Sequence, residues 1–238
     1  MSFYGYKSTS GADIKVKADK MIAKLQKKNP NLSPVIIEGR VIAKKWWGKA
    51  WNDNLESYAD FSNRLSRGKS YVKNHTVIDL LIKEGVIEAL VMGSRAKPYE
   101  VRVQINPLNQ KKWKSLSQVC NQRIDSLDQL LSGEFPKEFE DIFYDFQYGL
   151  FPSQREIWFD CSCPDVASMC KHVAAVLYGV GHRLDEDPMM FFTLRGVDVN
   201  ELIKQSIESK VDLMLTNARK KSVRTISDSD IKDLFGLE

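Results

Sequence analysis

The sequence predicts an α+β protein. An antiparallel β-meander with a Trp-bearing helix comes first, and a helical region enclosing a small strand–knuckle–helix metal finger follows. Three observations carry this. Residues 77–105 hold three runs of alternating apolar and polar residues with short turns between them, the pattern of an antiparallel sheet with one buried face. Segments on both sides of those runs place apolar residues three and four apart, the helical repeat. Cys161, Cys163, Cys170 and His172 fall in one short window, so a strand end and a helix start can share one metal ion.

The elements follow in order. Ala18 to Lys28 favours a helix with Met21, Ile22 and Leu25 on one side, ended by Asn29-Pro30. Val35-Ile36-Ile37 suggests a short strand. Trp47 and Trp51 are four apart on a second helix, and Leu55 extends their stripe. In the first alternating run Ile78, Leu80 and Ile82 share a face. Glu84-Gly85 turns the chain into Ile87, Ala89 and Val91, and Tyr99, Val101, Val103 and Ile105 form the third run. Beyond Trp113 helices dominate. One runs from Ser126 to Leu131 and ends at Gly133, and another starts near Pro136, carries Phe139, Ile142, Phe143 and Phe146, and stops at Gly149. Glu156 to Phe159 reads as a strand leading into the cysteines, and Val173 to Tyr178 as a helix leaving them. Further helices are expected near Pro188–Leu194 and Val199–Lys210.

This divides the 238 residues into a basic segment 1–39, an α+β meander 40–110, a helical region 111–215 with the finger at about 155–180, and a polar tail 216–238. No Gly/Ser-rich linker marks a boundary, and 108–113 is the best place for one. Apolar content of 43% supplies an ordinary globular core. With no apolar leader at the start and no membrane-length apolar stretch, the expected location is cytoplasmic. In a reducing compartment, clustered cysteines are metal ligands rather than disulfides.

Three thiolates and one imidazole complete the tetrahedral shell of zinc and leave no position for substrate, so one structural Zn2+ is expected. Alternation points Cys161 and Cys163 to the same side of an extended segment, and Pro164 turns the chain. Cys170 and His172 open a helix whose N-terminal N–H groups favour thiolates, with Asp165 or Ser168 as its cap. Cys120 reads as a core thiol, and His75 and His182 as structural or exposed groups.

Cys-x-Cys followed by Cys-x-His after a short loop resembles the SWIM zinc finger. The likeness extends to Trp46-Trp47-Gly48-Lys49-Ala50-Trp51, to Arg64 through Val72, to Gly93-Ser94-Arg95 with Pro98-Tyr99, and to Leu234-Phe235-Gly236. All of these are similar to bacterial stand-alone SWIM proteins. The resemblance implies a zinc-dependent DNA-binding or protein-binding module partnered with a Swi/Snf-type ATPase.

Enzyme motifs fail one by one. Gly68-Lys69-Ser70 has Asn63 where a phosphate-binding loop needs glycine, and Tyr71-Val72 reads as the start of a strand. Gly179-x-Gly181 lacks its third glycine. A zinc deaminase needs a glutamate near its histidine ligand, but Lys171 and Val173 flank His172. No catalytic residue and no small-molecule substrate are assigned. Charge supplies the functional expectation, since lysines crowd the first fifty residues while 125–145 is acidic. Arg64, Arg67, Lys69, Arg95, Lys97 and Lys171 are candidate phosphate contacts for DNA or another nucleic acid. Trp46 or Tyr71 could stack on bases, whereas Trp47 and Trp51 suit a core. The alternative is a protein-interaction subunit docking on an ATPase or recombinase through the acidic helices and the terminal Leu234-Phe235.

Overall fold

The computed structural model describes residues 10–57, 62–109, 111–114, 140, 143, 150–167 and 169–219. Helices α1 (Gly11–Gln26), α2 (Trp46–Ser57) and α3 (Ser62–Lys73) precede strands β1 (Val77–Lys83), β2 (Val86–Val91) and β3 (Tyr99–Ile105). A short 3-10 turn, Gln154–Glu156, leads into β4 (Ile157–Cys161), followed by α4 (Lys171–Glu186), α5 (Met189–Leu194) and α6 (Val199–Arg219). The result is a mixed α/β protein with one four-stranded antiparallel sheet in the order β1-β2-β3-β4.

The strand before the cysteines therefore joins the same sheet as the earlier runs. Val101, Val103 and Ile105 pair with Cys161, Phe159 and Ile157. One core takes residues from both sides of 108–113, including Trp51, Leu80 and Val103 before it and Ile157, Val176 and Phe191 after it.

Helix α4 lies at the centre of this core. It is buried continuously from His172 to Gly181 and again at Leu184, as expected of a helix apolar on nearly all sides. The inner sheet face covers one side of it, and α2 and α3 cover the other. Trp51 donates its indole N–H to Leu177 O at 2.9 Å, and Trp47 donates to Leu184 O at 2.7 Å. Two large rings are thus buried with their polar atoms satisfied. At Gly68, α3 presses on α4 so closely that a Cβ there would sit 2.5 Å from Ala174 Cβ, so only glycine permits the approach. That contact overrides the strand reading of Tyr71-Val72. Both lie in the last turns of α3, and Val72 is buried.

Other differences have equally local causes. The register slips between Val77 and Asp79, a bulge that turns Ile78 away from Leu80 and Ile82. Ile78 instead joins Ala18, Ile22, Leu32 and Met92 in a small second cluster beneath α1. Val35–Ile37 runs beside β1 through Val35 N to Val77 O, 3.0 Å, and Leu80 N to Ser33 O, 2.9 Å, but forms no regular strand. α1 starts earlier than its apolar spacing implied because Ser10 and Asp13 form a capping box. α6 runs on to Arg219, and its Ile207, Val211, Leu213 and Met214 are exposed. The helix expected near 126–131, most of the Pro136–Gly149 helix, Cys120 and the tail from 220 onward lie outside the described residues. Phe143 is described, and it is buried against Phe151 and Phe191. Among the described residues no helix is long and apolar enough to cross a membrane.

Candidate metal centre

The site forms where β4 ends and α4 begins. Ser162 extends the ladder one step past β4. Its N–H donates to Glu100 O at 3.0 Å, and its hydroxyl accepts from Glu100 N at 2.9 Å. With Ser162 fixed this way, Cys161 and Cys163 flank it and both reach the site. Cys170 caps α4 itself, accepting Val173 N–H on its sulfur at 3.5 Å. Asp165 does not fill that role. Asp165 takes a two-pronged hydrogen bond from Arg64, at 2.5 and 3.1 Å, which ties the connecting loop to α3. Ser168 lies outside the described residues.

The sulfurs of Cys161, Cys163 and Cys170 and a ring nitrogen of His172 all lie within 4.8 Å of one another. His172 Nδ1 is 3.9 Å from Cys161 Sγ and 3.8 Å from Cys170 Sγ. Metal–sulfur and metal–nitrogen bonds of about 2.3 and 2.0 Å in a tetrahedron give an S···N edge of about 3.6 Å. The four donors therefore lie close enough together to hold one metal ion.

Two tyrosines fix the imidazole. Tyr99 stacks on it at 4.3 Å with 28° between the planes, and Tyr71 meets it edge-on at 5.6 Å. Gly93 makes room for this, because a Cβ there would fall 2.6 Å from the Tyr99 ring. With Nδ1 turned to the sulfurs, Nε2 is buried and has no hydrogen-bond partner among the described residues. Packing, rather than the usual carboxylate or carbonyl contact, sets the ring orientation here.

Without an ion, the Cys161–Cys170 pair shares its negative charge unequally. The hydrogen bond from Cys161 lowers the Cys170 thiol well below its ordinary range against the effect of burial, with His172 and the Val173 N–H adding to it. Giving that hydrogen bond, and then burial, raises the Cys161 thiol.

The six cationic candidates separate into two groups. Arg64 is committed to Asp165, and Lys69 to Glu56 at 2.7 Å, where it also lies over the Tyr178 ring. Arg67, Lys97, Arg95 and Lys171 have no carboxylate partner among the described residues. Lys171 sits over Tyr71 at 5.7 Å and Arg95 over Tyr99 at 5.5 Å, so both border the rings that hold His172. Lys17 of α1 reaches the same loop, donating to Ser94 O at 3.0 Å. Trp46 is half-buried against Trp47 and Phe143, while Trp47 and Trp51 are core.

His75 occupies a turn with φ 56° rather than a strand, and its Nδ1 lies 2.9 Å from Asp19. His182 donates to Ile42 O at 3.0 Å. Neither histidine belongs to the site. The spacing of the four donors was readable in the sequence. The roles of Tyr99 and Gly93 were not, because no local pattern links residue 99 to residue 172.

The chain is 37% identical over 172 residues to "Uncharacterized protein Rv2102" of Mycobacterium tuberculosis (strain ATCC 25618 / H37Rv). The match covers 72% of this chain and 62% of that protein, so the chain spans less than two thirds of its relative's length. No family model matches the sequence, and no solved structure matches it.

Proposed function

We propose that the protein is a zinc-stabilised, non-catalytic nucleic-acid-binding accessory protein of the SWIM zinc-finger type, working in the cytoplasm beside a Swi/Snf-type DNA-dependent ATPase. One observation carries the nucleic-acid part. Lys171 and Arg95 lie over Tyr71 and Tyr99, the rings packed on His172, and Arg67 lines a cavity with Tyr71 and Lys171, with no carboxylate paired to these cations among the described residues. Lone cations on a rigid surface suit a phosphate backbone. Zinc is the ion that three cysteines and a histidine select, and the filled shell argues against catalysis at the metal. The ATPase partnership rests on the SWIM resemblance.

The competing interaction-subunit reading placed its contacts in the acidic helices and terminal piece, which lie outside the described residues apart from Glu140 and Phe143. The test is binding of labelled DNA and RNA to zinc-loaded protein over a salt series. Affinity falling steeply with salt is expected. No binding to either at low salt overturns the reading.

A further inference from the structure

A cavity of about 240 Å³ opens between α1, α3 and the first turn of α4. Arg67, Ser70, Tyr71, Asn74 and Lys171 line it, with Gly11 at its edge, and no carboxylate is among its lining residues. Its polar groups differ in how committed they are. The Asn74 amide donates to Ser70 O at 2.7 Å, and the Thr76 hydroxyl to Tyr71 O at 2.8 Å, so both are spent on holding the end of α3. The Arg67 guanidinium and the Lys171 ammonium are left for a ligand.

Two cations and a hydroxyl in a recess with no acid among its described lining residues call for a compact polyanion. A water's share of liquid volume is about 30 Å³, so the recess is roomy enough for a phosphoryl group with part of its sugar. Guanidinium and ammonium are the side chains that bind phosphate by charge-assisted hydrogen bonds. Lys171 lies between the ligands Cys170 and His172, and Tyr71 touches both Lys171 and His172. The metal centre thus sets where one of the two cations stands.

We infer that this cavity is a phosphoryl-binding subsite of the nucleic-acid surface, in which Arg67 and Lys171 clasp one phosphate and the metal holds Lys171 in place. This deepens the nucleic-acid reading above and rests on it. The phosphate belongs either to a strand end or to the internal backbone.

The experiment uses the full, metal-loaded chain. A short labelled oligothymidylate is bound over a salt series to wild type and to Arg67→Ala, Lys171→Ala and Lys83→Ala, with pyrophosphate as competitor. Lys83 lies on β1 and pairs with Glu88, so its loss should leave binding unchanged. Arg67→Ala and Lys171→Ala should each weaken binding about tenfold and reduce the log–log salt slope by about one. Pyrophosphate should compete on wild type and lose its grip in both variants.

Tighter binding of a 5′-phosphorylated strand than of its 5′-hydroxyl counterpart places a strand end in the cavity. Equal binding of the two, with the slope still reduced in the variants, places an internal phosphate there. An unchanged slope in both variants, with metal content and circular dichroism intact, overturns the subsite and leaves nucleic-acid binding standing. A wild type that binds no nucleic acid overturns the wider reading. Pyrophosphate that fails to bind, or binds both variants as well as wild type, overturns the subsite on its own.

Discussion

The two ends of α4 are held by different means. Its C-terminal half lies under Trp47 and Trp51, and Arg183 there is fully engaged, at 2.7 Å from Glu186, 2.8 Å from Ser33 Oγ and 2.7 Å from Pro34 O. The four candidate metal ligands gather at its first turn, and Lys171 there lies over the face of Tyr71 with no carboxylate partner among the described residues. Large apolar rings stabilise by covering a surface, which leaves nothing for a partner to meet. A metal fixes the backbone from inside with four small donors and leaves the neighbouring side chains accessible. If the proposed function holds, stability and recognition are divided along one helix.

The largest predicted break in this comparison is Trp51→Ala. It removes a fully buried ring and the indole N–H that donates to the Leu177 main-chain carbonyl, and should cost about 3–5 kcal/mol by thermal or urea unfolding. Metal content should change little in whatever fraction stays folded.

The second break is at the start of β4, where Glu156 lies 2.9 Å from the fully buried Arg195 and 3.1 Å from Lys112. Burial pushes the Glu156 carboxyl up, but the Ser153 N–H and the Arg195 guanidinium more than offset this and hold it at about 2. A folded pKa below the ordinary 4.5 means the stabilisation is complete above pH 4.5 and fades as pH falls toward 2. Glu156→Gln should cost about 3 kcal/mol at neutral pH, because it removes a carboxylate charge from beside a buried guanidinium. It should also flatten the acid limb of a pH–stability curve; an acid limb as steep as wild type's would assign that limb to other carboxylates.

Smaller effects sharpen the metal end. Arg64→Ala frees the loop that Asp165 anchors and should cost about 1–2 kcal/mol, with faster metal release to a chelator in stopped-flow. Lys69→Ala breaks a half-exposed pair with Glu56 and should shift stability by no more than about 0.5 kcal/mol in the same unfolding assay.

Sequence reasoning worked where the signal is local. Cys161, Cys163, Cys170 and His172 lie within twelve residues, and alternation plus a helix start were enough to bring them together. Trp47 and Trp51 announced a helix face by their spacing, and the runs ending at Val91 and Ile105 announced strands. What stayed hidden depends on contacts between distant segments. β4 pairs with a strand more than fifty residues earlier, and the bulge at Ile78 follows from α1 covering the outer sheet face. Arg64 and Lys69 carry the same charge as Arg67 in the sequence. Only Asp165 and Glu56, brought close by the fold, show that the first two are already engaged. Tyr71 and Val72 have strand-favouring side chains, and the crossing at Gly68 keeps them helical.

Whether the metal end serves recognition while the tryptophan end serves stability comes down to one titration. A chelator is added to metal-loaded full-length protein while oligonucleotide affinity and the near-ultraviolet dichroism of the tryptophans are followed together. β4 and most of α4 are anchored in the apolar core, so the tryptophan signal should persist as metal leaves. Affinity should fall about tenfold or more over the same range, equivalent to at least about 1.4 kcal/mol. Metal-free protein that binds nucleic acid as tightly as the loaded form would contradict this division of labour.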